Sequence, residues 1–194
     1  MVDVQLRQTM RIISGTLHST PGYWLPVLSN IMPPHIRRQQ ALARLWSRML
    51  NNKALPIHQD IAQTTTRLRS HRPAWKTALQ LTFSQFNPKN ARRKEWSKLP
   101  PHSLVISDPS SKPPGFNLPR SVWMKLNRIR CDTGRSASAL YQWGWKVSPC
   151  CDGMQTIKHI VQNCPRCAFP GSLENLHEAT PEAIAWLAEL DIQL

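Results

Sequence analysis

Arg120-Ser121-Val122-Trp123-Met124-Lys125-Leu126-Asn127-Arg128-Ile129-Arg130 decides how the fold is read. Val122, Leu126 and Ile129 stand at i, i+4 and i+7, the spacing of one buried helix face. Arg120, Lys125, Arg128 and Arg130 surround that stripe. Pro119 leads into the helix, which is expected to reach about Cys131 before Gly134 breaks it. An amphipathic helix with a cationic polar face points to a mainly α chain with a basic surface.

Downstream, residues 137–145 read as a short helix carrying Leu140 and Trp143. Thr156 can cap another, with Ile157, Ile160 and Val161 turned inward. The last helix starts with Thr180 as N-cap, Pro181 in the first turn and Glu182 complementing the dipole. Ile184, Leu187 and Leu190, with Trp186 nearby, supply its buried side.

Upstream, residues 100–119 hold six of the 17 prolines and read as an extended linker. Before it, residues 1–14 place Val2, Leu6, Met10 and Ile13 on one helical face, and residues 24–28 are apolar. A longer helix is expected from Pro34 to Asn51, with Leu42, Leu45, Trp46, Met49 and Leu50 as its apolar stripe and Arg37, Arg38, Arg44 and Arg48 on other faces. Residues 53–72 are polar and mixed. Residues 74–86 carry Trp75, Leu79 and Phe83 at helical steps, and a basic run stands at 89–94 beside Trp96. The expected organisation is a basic helical region 1–99, a proline-rich linker 100–119, and a helical region 120–194 with a small Cys/His turn and helix.

Hydrophobic residues make up 41% of the 194 and charged residues 19%, a globular rather than disordered balance. The net charge is +14, from +18 over residues 1–150 and −4 over 151–194. Such a body repels itself unless a polyanion neutralises it, which makes RNA or DNA the leading partner. No apolar run approaches the ~18 residues that span a bilayer. The N-terminus lacks the basic and apolar regions of a signal peptide, so an intracellular protein, nuclear or cytoplasmic and not secreted, is expected.

The five cysteines are Cys131, Cys150, Cys151, Cys164 and Cys167. An odd count without a leader argues against a disulfide framework. Cys164 and Cys167 form a C-x2-C pair, and His159 lies about a turn and a half before Cys164. One zinc held by Cys151, His159, Cys164 and Cys167 is one reading, with Cys150 in place of Cys151 as its variant. Reduced, partly buried thiols are the other.

Trp123-Met124-Lys125-Leu126-Asn127-Arg128-Ile129-Arg130, then Thr133-Gly134-Arg135, Leu140 and Trp143-Gly144, resembles the C-terminal region of jockey-type non-LTR retrotransposon reverse transcriptases. Gln155-Thr156, His159-Ile160 and Cys164-Pro165 are similar to that region's cysteine–histidine segment. Arg11-Ile12-Ile13-Ser14-Gly15-Thr16-Leu17, with Thr20-Pro21, and Leu25-Pro26-Val27-Leu28-Ser29-Asn30-Ile31 followed by Pro33-Pro34 and Ile36-Arg37-Arg38, are similar to the region following the polymerase thumb. The family's Cys-x-Cys-Gly stands here as Cys150-Cys151-Asp152-Gly153.

The resemblance implies a parent RNA-directed DNA polymerase of which this chain is the truncated tail. No Tyr-Ala-Asp-Asp box is present, and the sparse acidic residues do not supply a two-metal centre, so no polymerase or endonuclease activity is expected of it. The expected function is RNA or DNA binding through Arg37, Arg38, Arg44, Arg92, Arg93, Lys94, Arg120, Lys125, Arg128, Arg130 and Arg135. The competing expectation is a non-binding structural or protein-interaction remnant whose helices pack on the missing polymerase thumb.

Overall fold

A computed structural model describes residues 2–56, 58, 74–99, 105–148 and 154–190. The protein is mainly α. Among the described residues it forms ten helices and no strand: α1 Val2–Ser14, α2 Trp24–Leu28, α3 Pro34–Asn51, α4 Ala74–Phe83, α5 Pro88–Trp96, α6 Arg120–Arg130, α7 Ala137–Gln142, α8 Ile157–Gln162, α9 Leu173–His177 and α10 Pro181–Glu189. No described helix is long and apolar enough to cross a membrane. Most of the polar stretch 53–72, the start of the proline-rich segment, Cys150 and Cys151, and the side chains of Trp75 and Phe83 lie outside the described residues.

The chain divides into two compact units, Met1–Ile31 with Leu99–Leu194, and Met32–Lys98. In the first, α6 is the axis. Val122, Trp123, Leu126 and Ile129 are buried with Ile157, Ile160 and Val161 of α8, Leu176 of α9, and Ala183 and Leu187 of α10. Each fully buried large apolar side chain of this set contributes about 1.5–3 kcal/mol relative to exposure. The caps read from the sequence form: Thr156 Oγ1 accepts from His159 N at 3.1 Å, and Thr180 Oγ1 from Ala183 N at 3.4 Å.

α1 packs on α2 and on α6. Its end comes so close to α6 that a Cβ on Gly15 would lie 2.0 Å from Met124 Cγ, and Gly15 has φ +69°. Glycine is therefore required there twice, for the left-handed turn out of α1 and for the close approach. At the other end of α1, Val2 is exposed, so only the later part of its expected apolar face is covered.

This grouping differs from the division expected along the sequence. α1 and α2 belong with the C-terminal helices, and the proline-rich segment is not a spacer over its described part. Ile106 is buried there, Phe116 meets Trp123 edge-on at 5.5 Å between ring centroids, and the Pro114 carbonyl accepts from Arg130 at 2.9 Å. Proline stiffens this chain, and a stiff extended segment can lay apolar side chains on a helix as readily as it can bridge two domains.

In the second unit α3 packs on α4 and α5. Ile36, Trp46, Ala78 and Trp96 are buried. His35 at the start of α3 pairs with Glu95 of α5 at 2.7 Å. Of the apolar stripe expected on α3, Trp46 is buried but Leu45 is 55% exposed, and the buried line runs through Ile36 instead. Leu42 and Met49 of that stripe are half-buried, and Leu50 is exposed.

Candidate nucleic-acid interface

The net charge is concentrated in one unit. Residues 32–98 carry 14 Lys/Arg and two acids, a balance of +12, whereas the other unit carries 11 against nine. Of the two acids, Asp60 lies outside the described residues and Glu95 is held by His35. On α3, Arg37, Arg44 and Arg48 are spaced i, i+7 and i+11, which places them within about 40° of arc on the helix surface. All three are exposed, and no ion pair holds them among the described residues. Arg38 is exposed on another face, and Arg93 and Lys94 are exposed on α5. Arg92 does not join them: it is 6% exposed, its side chain turned into the unit, and cannot meet a phosphate as expected.

Arg44 and Arg48 also line an open cleft of about 560 Å³ between α3 and the turn from α4 into α5. Gln40 lies on the α3 wall; Gln85, Phe86 and Pro88 lie on the opposite one. Both ends of that turn are fixed. Gln85 takes the left-handed conformation, φ +48°, and Phe86 N donates back to Leu81 O at 3.0 Å, ending α4 in a Schellman arrangement. Asn87 then caps α5, its side chain accepting from Lys89 N and Asn90 N at 2.9 and 3.2 Å. Of the cleft residues, sequence reasoning selected only Arg44 as a site. The i, i+7, i+11 register of the arginines was the available signal; the role of Phe86 depends on the turn.

The cations of α6 make contacts within their own unit that the sequence did not show. Arg120 donates to Ile13 O at 2.6 Å and to Ile12 O, Asn127 Nδ2 to Ser14 O at 2.8 Å, and Arg128 Nε to Gly15 O at 2.8 Å. With Gly15 N on Arg11 O, five consecutive carbonyls at the end of α1 have donors. Lys125 Nζ does the same for α10, reaching Leu187 O at 2.9 Å and Leu190 O at 2.6 Å. Arg130, 4% exposed, donates to His177 O at the end of α9 and to Pro114 O, and its guanidinium stands 5.7 Å from the Trp123 ring centroid. Cations at helix C-termini satisfy orphan carbonyls and complement the dipole. Arg120, Lys125, Arg128 and Arg130 are thus engaged inside their own unit, with Arg130 withdrawn from any phosphate. Arg135 is exposed.

Burial lowers the pKa of Arg130 to about 10, opposed by Cys131 and Glu178 nearby, so it stays charged at neutral pH. Burial also lowers Arg128, with Arg135 and Arg120 adding repulsion. It pushes the Cys131 thiol well up, which leaves that cysteine an inert core residue.

For the zinc reading, α8 and the turn after it carry His159, half-buried, Cys164, buried, and Cys167, half-buried with its Sγ 4.0 Å from Ile160 O. The Cys167 carbonyl accepts from Trp186 Nε1 at 3.0 Å, which anchors the turn to α10. Among the described residues no three His, Cys, Asp or Glu side chains form a group able to hold a metal. Cys151, the fourth residue of the set, and its variant Cys150 lie outside the described residues.

No family model, curated protein or solved structure matches the chain.

Proposed function

We propose that this chain is a C-terminal fragment of a non-LTR retrotransposon reverse transcriptase that binds RNA or DNA through residues 32–98 and catalyses no reaction itself. The observation that carries the binding reading is the concentration of +12 in the unit of residues 32–98, with an exposed arginine stripe on α3. Phosphates that neutralise such a surface release counterions, which drives association without regard to sequence. The fragment reading rests on the resemblance. The residues that carry it have internal roles: Asn127, Arg128 and Arg130 hold helix ends, Thr133 Oγ1 meets Thr20 Oγ1 at 2.9 Å, and Gln155 Oε1 accepts from Ala137 N at 3.0 Å. A pattern of that kind specifies a fold, and the charge of the other unit supplies the binding.

The test is the salt dependence of affinity for a single-stranded RNA. The log–log slope should be about −0.7 per phosphate contacted, and replacing Arg37, Arg44 and Arg48 by Ala should make it shallower by about 2. A salt-independent affinity overturns the reading. Primer extension or nuclease activity that survives purification overturns the non-catalytic part.

A second reading, a protein-interaction remnant that docks on the rest of a polymerase, is favoured by the end of α7 and the segment after it. Tyr141 in the helix, and Trp143, Trp145 and Val147 beyond it, are all exposed, Trp145 by 69%. Association through that surface would depend little on salt.

A further inference from the structure

We propose that the cleft between α3 and the α4–α5 turn is a nucleotide site that admits only unpaired bases, so that the protein prefers single strands to duplexes. The proposal rests on the nucleic-acid reading above and assigns its strand selectivity. The cleft's volume of about 560 Å³ falls in the range of roughly 300–1,000 Å³ typical of ligand pockets. Its two walls are chemically unlike. The α3 wall offers Arg44 and Arg48, one helical turn apart, as phosphate partners. The opposite wall offers the ring of Phe86 beside Pro88. Gln40 and Gln85 supply amide donors and acceptors at the edges of the cleft.

An aromatic face within reach of cations is the combination that holds single strands, because a base stacks on the ring while its phosphate meets the arginine. A duplex keeps its base faces covered and presents phosphates, sugars and groove edges instead. A cationic stripe alone would accept either form; the ring makes the difference. The backbone that carries the ring is held at both ends. The Phe86 N to Leu81 O bond fixes it from the α4 side, and the Asn87 cap fixes the next residue from the α5 side.

The experiment measures the affinity of the full chain for labelled single strands of about 12 nucleotides, RNA and DNA, and for duplexes of the same length, at matched salt. Free uridine monophosphate serves as competitor. Single strands should bind at least about 10-fold tighter than duplexes, and the monophosphate should compete only weakly, because one nucleotide lacks the neighbouring phosphates. Phe86→Leu keeps an apolar side chain in the cleft but removes the π face. It should weaken single-strand binding by about 5- to 150-fold and leave duplex binding unchanged, and Phe86→Trp should retain the preference. Crosslinking of a 4-thiouridine strand to the unmodified protein reads the same site without a variant, and should label residues 40–48 and 81–88.

Equal affinity for strand and duplex with a steep salt dependence overturns this proposal while the charge-driven reading stands. So does an unchanged single-strand affinity in a folded Phe86→Leu chain, or crosslinks confined to other segments. A chain that binds neither form at low salt overturns both.

Discussion

At pH 7 the guanidinium of Arg130 is a cation in a hydrophobic core, stabilised by two carbonyls and the face of Trp123 rather than by a paired carboxylate. Truncating it strands His177 O and Pro114 O, each an acceptor worth about 1–3 kcal/mol when left unsatisfied. Arg130→Ala should therefore destabilise its unit by roughly 2–4 kcal/mol, read from urea unfolding, and should leave nucleic-acid affinity unchanged in the protein that remains folded. A loss of affinity at full stability would return Arg130 to the binding surface. Its neighbour His177 gives a pH signature. Burial, and then Arg130, hold the His177 imidazole down at about 4, against an ordinary 6.5. Between those values the unfolded chain takes up a proton that the folded chain refuses, so stability is full above about 6.5 and declines as pH falls towards about 4. His177→Gln should flatten that part of the profile. Urea midpoints measured across the window check it, and parallel curves for the two proteins would exclude His177 as the cause.

At the scale of elements, helix starts were legible, and so were the ends of α1 at Ser14 and of α3 at Asn51, but some stops were not. Thr156 and Thr180 announce α8 and α10 because a hydroxyl that accepts a backbone N–H is a local event. The ends depend on left-handed residues, and Gln85, Asp132 and Ala179 adopt φ of +48°, +50° and +55° where glycine is the usual occupant. A search for glycines misses these stops, and with the α4 stop goes the placement of Phe86 in the cleft. The carbonyl contacts of the α6 cations were not legible for a related reason. Periodicity puts Arg120, Lys125 and Arg128 off the apolar stripe, but long side chains reach past their own helix to carbonyls on others, and only the fold shows which carbonyls are near. The α8 segment carries the remaining prediction at this scale, one zinc per chain on Cys151, His159, Cys164 and Cys167, as proposed from their spacing. Elemental analysis of protein purified without chelators checks it. His159→Ala should remove the metal and Cys131→Ala should not, because the Cys131 thiol is buried on α6 and resists ionisation. Ile157, Ile160 and Val161 already anchor α8 in the core, so chelation should leave the exchange protection of α8 nearly intact. Well under one zinc per chain would make the cysteines ordinary thiols.

The whole molecule separates two tasks that the bulk composition blends. A balance of +18 over residues 1–150 reads as one basic body, yet α1 and α2 fold with the C-terminal helices. The stretch between them in sequence, residues 32–98, holds +12 of the +14. The unit built on α6 uses four of its 11 cations on its own carbonyls and sets nine acids against the 11. Binding energy should accordingly enter the molecule through one unit. A ligand that binds the native form stabilises the segment it touches by RT ln(1 + [L]/Kd), about 2.7 kcal/mol at one hundred times Kd. Hydrogen exchange of the full chain, with and without a saturating single-stranded oligonucleotide, reads this segment by segment. Protection should rise in α3, α4 and α5 and stay unchanged in α6 to α10. The same experiment at high salt should erase the difference, since counterion release supplies the affinity. Protection that rises equally in both units would mean that the α6 unit also meets the ligand, and the division of labour between the units would fall. Protection confined to the segment around Trp143 and Trp145 would instead place the contact on the exposed aromatic surface after α7.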